Sequence, residues 1–146
     1  MDFKEGITKF KEKYTFDSGV NHYEIEDINF WRRILYQHRL IGNANGVGYG
    51  NLSKRLYHYS TPKGKRAFLI TGTQTGDLEE LTREHYVTVK EYLSELNTII
   101  TEGPIRASSE SMTHGGVYDS DNSIRFVYHA HCPQVWYNAK RLGIPI

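Results

Sequence analysis

The chain has 146 residues, of which 38% are hydrophobic and 24% are charged, and its formal net charge is +1. These values predict one globular domain with a hydrophobic core, and the balanced charge argues against a dedicated nucleic-acid binder. No apolar run reaches membrane-spanning length, and the first residues lack the pattern of a secretory signal. The single Cys132 excludes an internal disulfide and favours a reducing compartment. We therefore expect a cytoplasmic protein that contacts no membrane.

The first half of the chain predicts one helix followed by two strands. Residues 29–40 place Phe30 and Ile34 on a helical period, and Asp27 or Asn29 can cap the helix start. The glycine-rich residues 42–50 are typical of a turn. Residues 52–59 and 66–71 read as successive strands joined by a hairpin turn at residues 61–64.

The second half predicts alternating elements as well. Residues 86–101 are ambiguous, because strand-like ends enclose a segment that could be helical. Residues 109–118 suit a short helix begun by a serine cap, and residues 124–131 form a strong strand pattern. Pro133 is expected to open a last helix that continues to about Arg141. This order predicts a layered α/β fold whose sheet need not be purely parallel.

A basic cluster lies near the middle of the chain. Its members are Lys54, Arg55, Lys63, Lys65 and Arg66. One interpretation is an anion or nucleic-acid site. We favour the simpler one, a solvated loop and strand edge, because the charges of the whole chain balance.

Two glycine-containing segments have the composition of anion sites. In residues 50–53, Gly50 permits close backbone approach, while Asn51 and Ser53 supply neutral donors for a phosphate oxygen or a hydroxyl. The alternative is a turn whose polar side chains satisfy its own backbone. Residues 70–76 enter a loop in which backbone N–H groups, with Thr73 or Thr75, can form an anion-binding nest, although turn formation alone explains the glycines. Neither segment has the pattern of a dinucleotide fingerprint or a P-loop.

Residues 108–114, S-S-E-S-M-T-H, place a carboxylate among hydroxyl groups at a predicted helix start. Serine hydroxyls and free N–H groups there can hold an anion, while the helix dipole favours Glu110 even without a function. His114 lies four residues after Glu110 and can share its helix face. A lone histidine in this position is more often a packing residue than a ligand.

His129 and His131 are the most specific pair in the sequence. Alternate residues of a strand share one face, so both imidazoles can point at the same ion. Imidazole with a nearby carboxylate suits zinc or another divalent transition ion. Cys132 is expected on the opposite face and is not counted as a ligand.

The order of these motifs resembles the class II aldolase/adducin family. The resemblance extends from about residue 28 to the end, through G-N-L-S-K-R, I-T-G-T-Q-T-G, S-S-E-S-M-T-H and V-Y-H-A-H-C-P. It implies a three-layer αβα fold with a mixed, largely antiparallel central sheet. It also implies a homotetramer with active sites between subunits. Members include sugar-phosphate aldolases, an epimerase, a dehydratase and the cytoskeletal adducins.

The resemblance also implies a role for each matching residue. Phosphate contacts are expected from Asn51, from the loop of Thr73, Thr75 and Gly76, and from Ser108 and Ser109. Glu110 matches the catalytic acid/base, and His129 and His131 match two metal ligands, with zinc as the expected ion. The implied activity is a lyase that cleaves a sugar phosphate or related ketose through an enediolate stabilised by a divalent metal. Same-fold alternatives are an epimerase, a dehydratase and a non-catalytic adducin-like scaffold.

One element of the family pattern has no counterpart. The third metal histidine of the family lies downstream of the pair, and no histidine follows His131. A catalytic zinc usually has three protein ligands. We therefore expect residues 1–146 to be a single domain that lacks the C-terminal part of the family fold. The alternative is that Glu110 completes a weaker site.

Overall fold

The computed structural model describes residues 9–145. The helices are α1 (Glu26–Gln37), α2 (Ser111–Ser120) and α3 (Pro133–Tyr137). The strands are β1 (Lys11–Phe16), β2 (Gly42–Ala44), β3 (Val47–Tyr49), β4 (Asn51–Arg55), β5 (Phe68–Thr71), β6 (Tyr86–Leu93), β7 (Thr98–Gly103) and β8 (Phe126–His129). Short 3-10 helices span His22–Ile25, Arg83–His85 and Ser94–Leu96.

Six strands form one mixed sheet. Their order across the sheet is β1-β7-β6-β5-β4-β8, and β2 and β3 form a separate hairpin. Strand β1 runs parallel to β7, and the other neighbouring pairs are antiparallel. The fold is therefore α/β with a mixed sheet, as the sequence predicts.

The core consists of two clusters on opposite faces of the sheet. Successive residues of a strand point to opposite faces, so Phe68 and Ile70 belong to one cluster and Leu69 to the other. Tyr118 of α2 packs with Phe68, and Ile28 of α1 packs with Leu69. Each helix thus packs on one of the two clusters, and α2 also contacts β4 through His114 and Tyr118.

Helix α1 lies where the sequence predicts a helix, but the period of Phe30 and Ile34 does not mark its buried face. The helix begins at Glu26, and its buried residues are Ile28 and Arg32, while Phe30 is 55% exposed. Apolar residues occur on more than one side of this helix, so periodicity alone does not identify the core face. The buried stripe is that of Ile28, Arg32 and Leu35, at i, i+4 and i+7; its two apolar residues join the core cluster, and Arg32 meets the loop after β5.

Several predicted boundaries also change. The glycine-rich residues 42–50 contain the β2–β3 hairpin, and the ambiguous residues 86–101 form strands β6 and β7. Helix α2 begins at Ser111, and the preceding Glu110 makes no side-chain cap. Helix α3 ends at Tyr137 instead of continuing to Arg141, and turns follow it. Among the described residues, no helix is long and apolar enough to cross a membrane.

Candidate functional site

Residues from three segments meet around one small cavity. Its lining consists of Gly48, Gly50, Asn51, Gly72, Thr73, Gln74, Thr75, Gly76, Ser108 and Ser109. Six of the seven predicted phosphate-contact residues are therefore brought together. The lining offers amide, hydroxyl and backbone N–H groups and no carboxylate, so its chemistry suits an anion.

Close backbone packing shapes the cavity. A Cβ atom at Gly76 would lie 2.3 Å from the carbonyl oxygen of Gly42 and 3.1 Å from the Cα atom of Gly48. We call residues 72–76 the threonine loop. The β2–β3 hairpin can lie directly on this loop only because residue 76 has no side chain. The Gly48 N–H donates to Gln74 Oε1 at 3.1 Å, which fixes the hairpin on this loop. Gln74 was not predicted as a site residue, although it lies inside the threonine motif.

A buried arginine supports the far side of the threonine loop. Arg32 is 2% exposed and donates hydrogen bonds to the backbone oxygens of Thr75, Leu78 and Glu79. Thr75 also donates through its hydroxyl to the Gly72 oxygen at 2.9 Å. These contacts fix residues 72–79 from behind. The sequence feature that indicates a buried role for Arg32 is its position on the helix stripe between Ile28 and Leu35.

Ser53 lies beneath the cavity and does not line it. Its side chain is fully buried, and its Oγ is 2.7 Å from both His114 Nδ1 and Tyr118 Oη. His114 Nε2 lies 2.5 Å from Asn51 Oδ1. His114 is thus a hydrogen-bonded packing residue between α2 and β4, and Thr113 rather than His114 donates a side-chain hydrogen bond to the Glu110 carboxylate.

The environment of His114 predicts a pH-dependent stability. Burial, with a smaller contribution from the charge of His129, lowers the pKa of His114 from 6.5 to about 3. Because the pKa of His114 is lower in the folded state, the unfolded state binds the proton first as the pH falls. The folded state therefore has its full stability above pH 6.5 and loses stability as the pH falls towards 3. We expect the protonation of this histidine to lower the free energy of unfolding by about 2 kcal/mol when the pH is lowered from 7.5 to 5.

Urea unfolding at pH 7.5 and pH 5 measures this loss. The His114→Gln variant removes the titrating group and should show a loss smaller by about the same 2 kcal/mol. Equal losses in the wild type and the variant would contradict the expected titration of His114.

The two histidines of the H-A-H segment lie beside the cavity. His129 is the register partner of Asn51 across β4 and β8, so their side chains share a face of the sheet. The Nε2 atoms of His129 and His131 are 3.1 Å apart. Two nitrogen ligands on a tetrahedral zinc, each about 2.0–2.1 Å from the ion, lie about 3.3 Å apart. The separation in this structure is that of a hydrogen bond between the two rings and is close to the spacing of two zinc ligands.

No third ligand joins this pair within residues 9–145. Among these residues, no group of three His, Cys, Asp or Glu side chains is arranged to hold a metal. Glu110 is half-buried at the start of α2, and its Oε2 accepts from Thr113 Oγ1 at 3.2 Å. It does not complete a three-residue site in this arrangement. Cys132 contacts Gln134 through its sulfur.

The basic residues of the predicted cluster bind structural partners. Arg55 is buried and donates to Asn122 and to the Tyr59 oxygen. Lys54 pairs with Asp27 at 3.0 Å, and Lys65 lies 4.0 Å from Glu91. These charges have structural partners, which agrees with the simpler interpretation of the cluster.

These features define an α/β domain in which a cavity with amide and hydroxyl donors adjoins a histidine pair. The family model described as Class II Aldolase and Adducin N-terminal domain matches residues 32–145. The chain therefore belongs to the class II aldolase and adducin family, as the order of its motifs predicts. The family includes lyases and non-catalytic adducins. Comparison with curated proteins and with solved structures found no match.

Proposed function

We propose that this protein is a metal-dependent lyase that acts on a sugar phosphate or a related ketose. The observation that supports this most is the adjacency of two half-sites, the donor-lined cavity and the histidine pair. Asn51 belongs to the first and is the register partner of His129 in the second. An anionic group in the cavity would therefore hold the remainder of a small substrate near the imidazoles.

The cavity is the proposed phosphate site. Asn51, Ser108, Ser109 and the backbone of residues 72–76 supply donors, and the β2–β3 hairpin closes one side. Neutral donors on a fixed backbone stabilise an oxyanion without reorganising. Binding energy from the phosphate then orients the reacting carbons, which do not themselves contact this cavity.

His129 and His131 are the proposed ligands of a divalent ion, with zinc the best match to two imidazole nitrogens. Such an ion supplies a Lewis acid for the carbonyl group of the ketose. Glu110 is the proposed acid/base that moves the proton, since it directly follows the serine pair that lines the cavity. Thr113 orients that carboxylate by donating to Oε2.

Related activities use the same arrangement. An epimerase or a dehydratase would need the same anion site, ion and acid/base, and an adducin-like scaffold would need none of them. Our proposal includes the remaining features of the enzyme class, namely a three-layer arrangement, a cytoplasmic homotetramer with sites between subunits, and no nucleic-acid partner. It also includes a third metal ligand from outside the described residues.

Metal content separates the enzyme from the scaffold. We expect the purified protein to retain about one zinc per chain, and the His129→Ala, His131→Ala double variant to lose it. The matched control is His22→Ala with His38→Ala, because both of these histidines are exposed. Absence of metal from the wild type after zinc reconstitution would favour the adducin-like scaffold.

A further inference from the structure

Four side chains form a buried line from α2 to the cavity. Tyr118 Oη is 2.7 Å from Ser53 Oγ, Ser53 Oγ is 2.7 Å from His114 Nδ1, and His114 Nε2 is 2.5 Å from Asn51 Oδ1. Tyr118 and Ser53 are fully buried, and His114 is 1% exposed. Asn51 is the member of the line that reaches the cavity wall.

The position of each hydrogen along this line can be assigned by starting from the Tyr118 hydroxyl. The end of the line inside the core is the Tyr118 hydroxyl, which lies 2.7 Å from Ser53 Oγ. Among the described residues, Ser53 Oγ is the side-chain atom that can receive the Tyr118 proton, and an unpaired buried hydroxyl is costly. The Ser53 hydrogen must then point to His114 Nδ1. That nitrogen accepts, so His114 has its hydrogen on Nε2 and donates to Asn51 Oδ1.

The opposite order has a clear defect. If Asn51 donated to Nε2, His114 would donate from Nδ1 to Ser53, and Ser53 would donate to Tyr118. The Tyr118 proton would then lack an acceptor in the buried line. Burial also lowers the pKa of His114, so the ring is neutral and cannot donate from both nitrogens at neutral pH.

We propose that Tyr118, Ser53 and His114 are positioning residues that hold the Asn51 amide with its NH2 group facing the cavity. The inference rests on the proposed function in taking an anion as the ligand of that cavity. An asparagine amide has nearly the same shape after rotation, but its two ends have opposite hydrogen-bonding character. With Oδ1 held by His114, Nδ2 is the end that is left to donate, and an anion is attracted instead of repelled.

The hydrogen position on His114 tests the orientation directly. In wild-type protein with ¹⁵N-labelled histidine at pH 7.5, we expect Nε2 of His114 to be protonated and Nδ1 to be unprotonated in a long-range ¹⁵N–¹H correlation spectrum. The His114→Gln spectrum assigns the signals. A hydrogen on Nδ1 would overturn the proposal, because Asn51 would then have to present its oxygen to the cavity.

Two variants at residue 114 test the effect on binding, with inorganic phosphate as the probe. The amide nitrogen of Gln can occupy the place of Nε2 and donate to Asn51, whereas the shorter Asn can replace only the Nδ1 position. We expect His114→Asn to weaken phosphate binding about tenfold and His114→Gln to stay within about threefold of wild type. Equal weakening in both would mean that His114 acts only through packing, and would overturn the proposal.

Ser120→Ala is the control, since its hydroxyl lies on the exposed side of the same helix. If wild-type protein fails to bind phosphate, the proposed function loses its anion site. The spectrum of His114 still decides the orientation of Asn51 in that case, as it does if a variant does not fold.

Discussion

We expect Arg32→Met to lower the free energy of unfolding by about 3 kcal/mol, because it removes three hydrogen bonds that a buried guanidinium donates to backbone oxygens. Those oxygens belong to Thr75, Leu78 and Glu79, and Arg32 itself is 2% exposed. Methionine fills much of the same volume, so the loss of hydrogen bonds dominates over a cavity. Burial lowers the pKa of Arg32, and this desolvation cost partly offsets the loss.

The adjacent arginine provides the control. Arg33 forms a bidentate pair with Glu80 at 2.8 Å, but both side chains are about half exposed. Arg33→Met should therefore cost at most about 1 kcal/mol. Urea unfolding measures both values, and hydrogen exchange should show faster exchange in residues 72–79 only in the Arg32 variant. Equal losses in the two variants would contradict the role assigned to Arg32.

Local patterns predicted those elements whose residues alternate clearly. Strand β8 was predicted because Phe126 to His129 continue an alternating apolar run, and β5 because a short apolar run lies between turn signals. Strand β1, K-E-K-Y-T-F, lacks such a run, and its pairing with β7 joins residues more than 80 positions apart. Pairing at that distance depends on the whole sheet, and a local window does not contain it.

The site was predictable in composition and not in its internal contacts. Asn51 and Ser53 share a strand face, so the sequence offers both for the same role. The fold separates them, because α2 covers Ser53 and leaves Asn51 at the cavity wall. His114 was considered with Glu110, its neighbour on the helix, but its partners are on β4, more than 60 positions earlier. Helix periodicity does not identify the strand on which the helix lies.

The histidine pair shows how far strand geometry alone extends. Alternation predicts that His129 and His131 share a face. Strand β8 ends at His129, so His131 lies beyond it, and the Nε2 atoms of the two rings are 3.1 Å apart. Alternation does not predict a further ligand, since such a ligand comes from another element. The same limit applies to Arg32, because the carbonyl groups to which it donates hydrogen bonds are more than 40 positions away in the sequence.

The largest expected effect on activity is that of Glu110→Gln. In a metal-assisted lyase, Glu110 would transfer the proton, and glutamine keeps its size while removing its basicity. Loss of a general acid/base typically slows turnover about 10²–10⁴-fold. Thr113 can still donate to the amide oxygen of Gln, so the side chain should stay in place and metal content should not change.

A panel of ketose phosphates and free ketoses, with zinc present, gives the substrate on which to measure this. On the best substrate, Glu110→Gln should lose turnover with little change in KM, because the cavity donors that bind the phosphate are untouched. Glu95→Gln is the control, since Glu95 is exposed. Turnover of the Glu110 variant within twofold of wild type would remove Glu110 from the mechanism. Absence of turnover by metal-loaded wild type across the panel would instead favour the scaffold, because a scaffold does not convert a substrate.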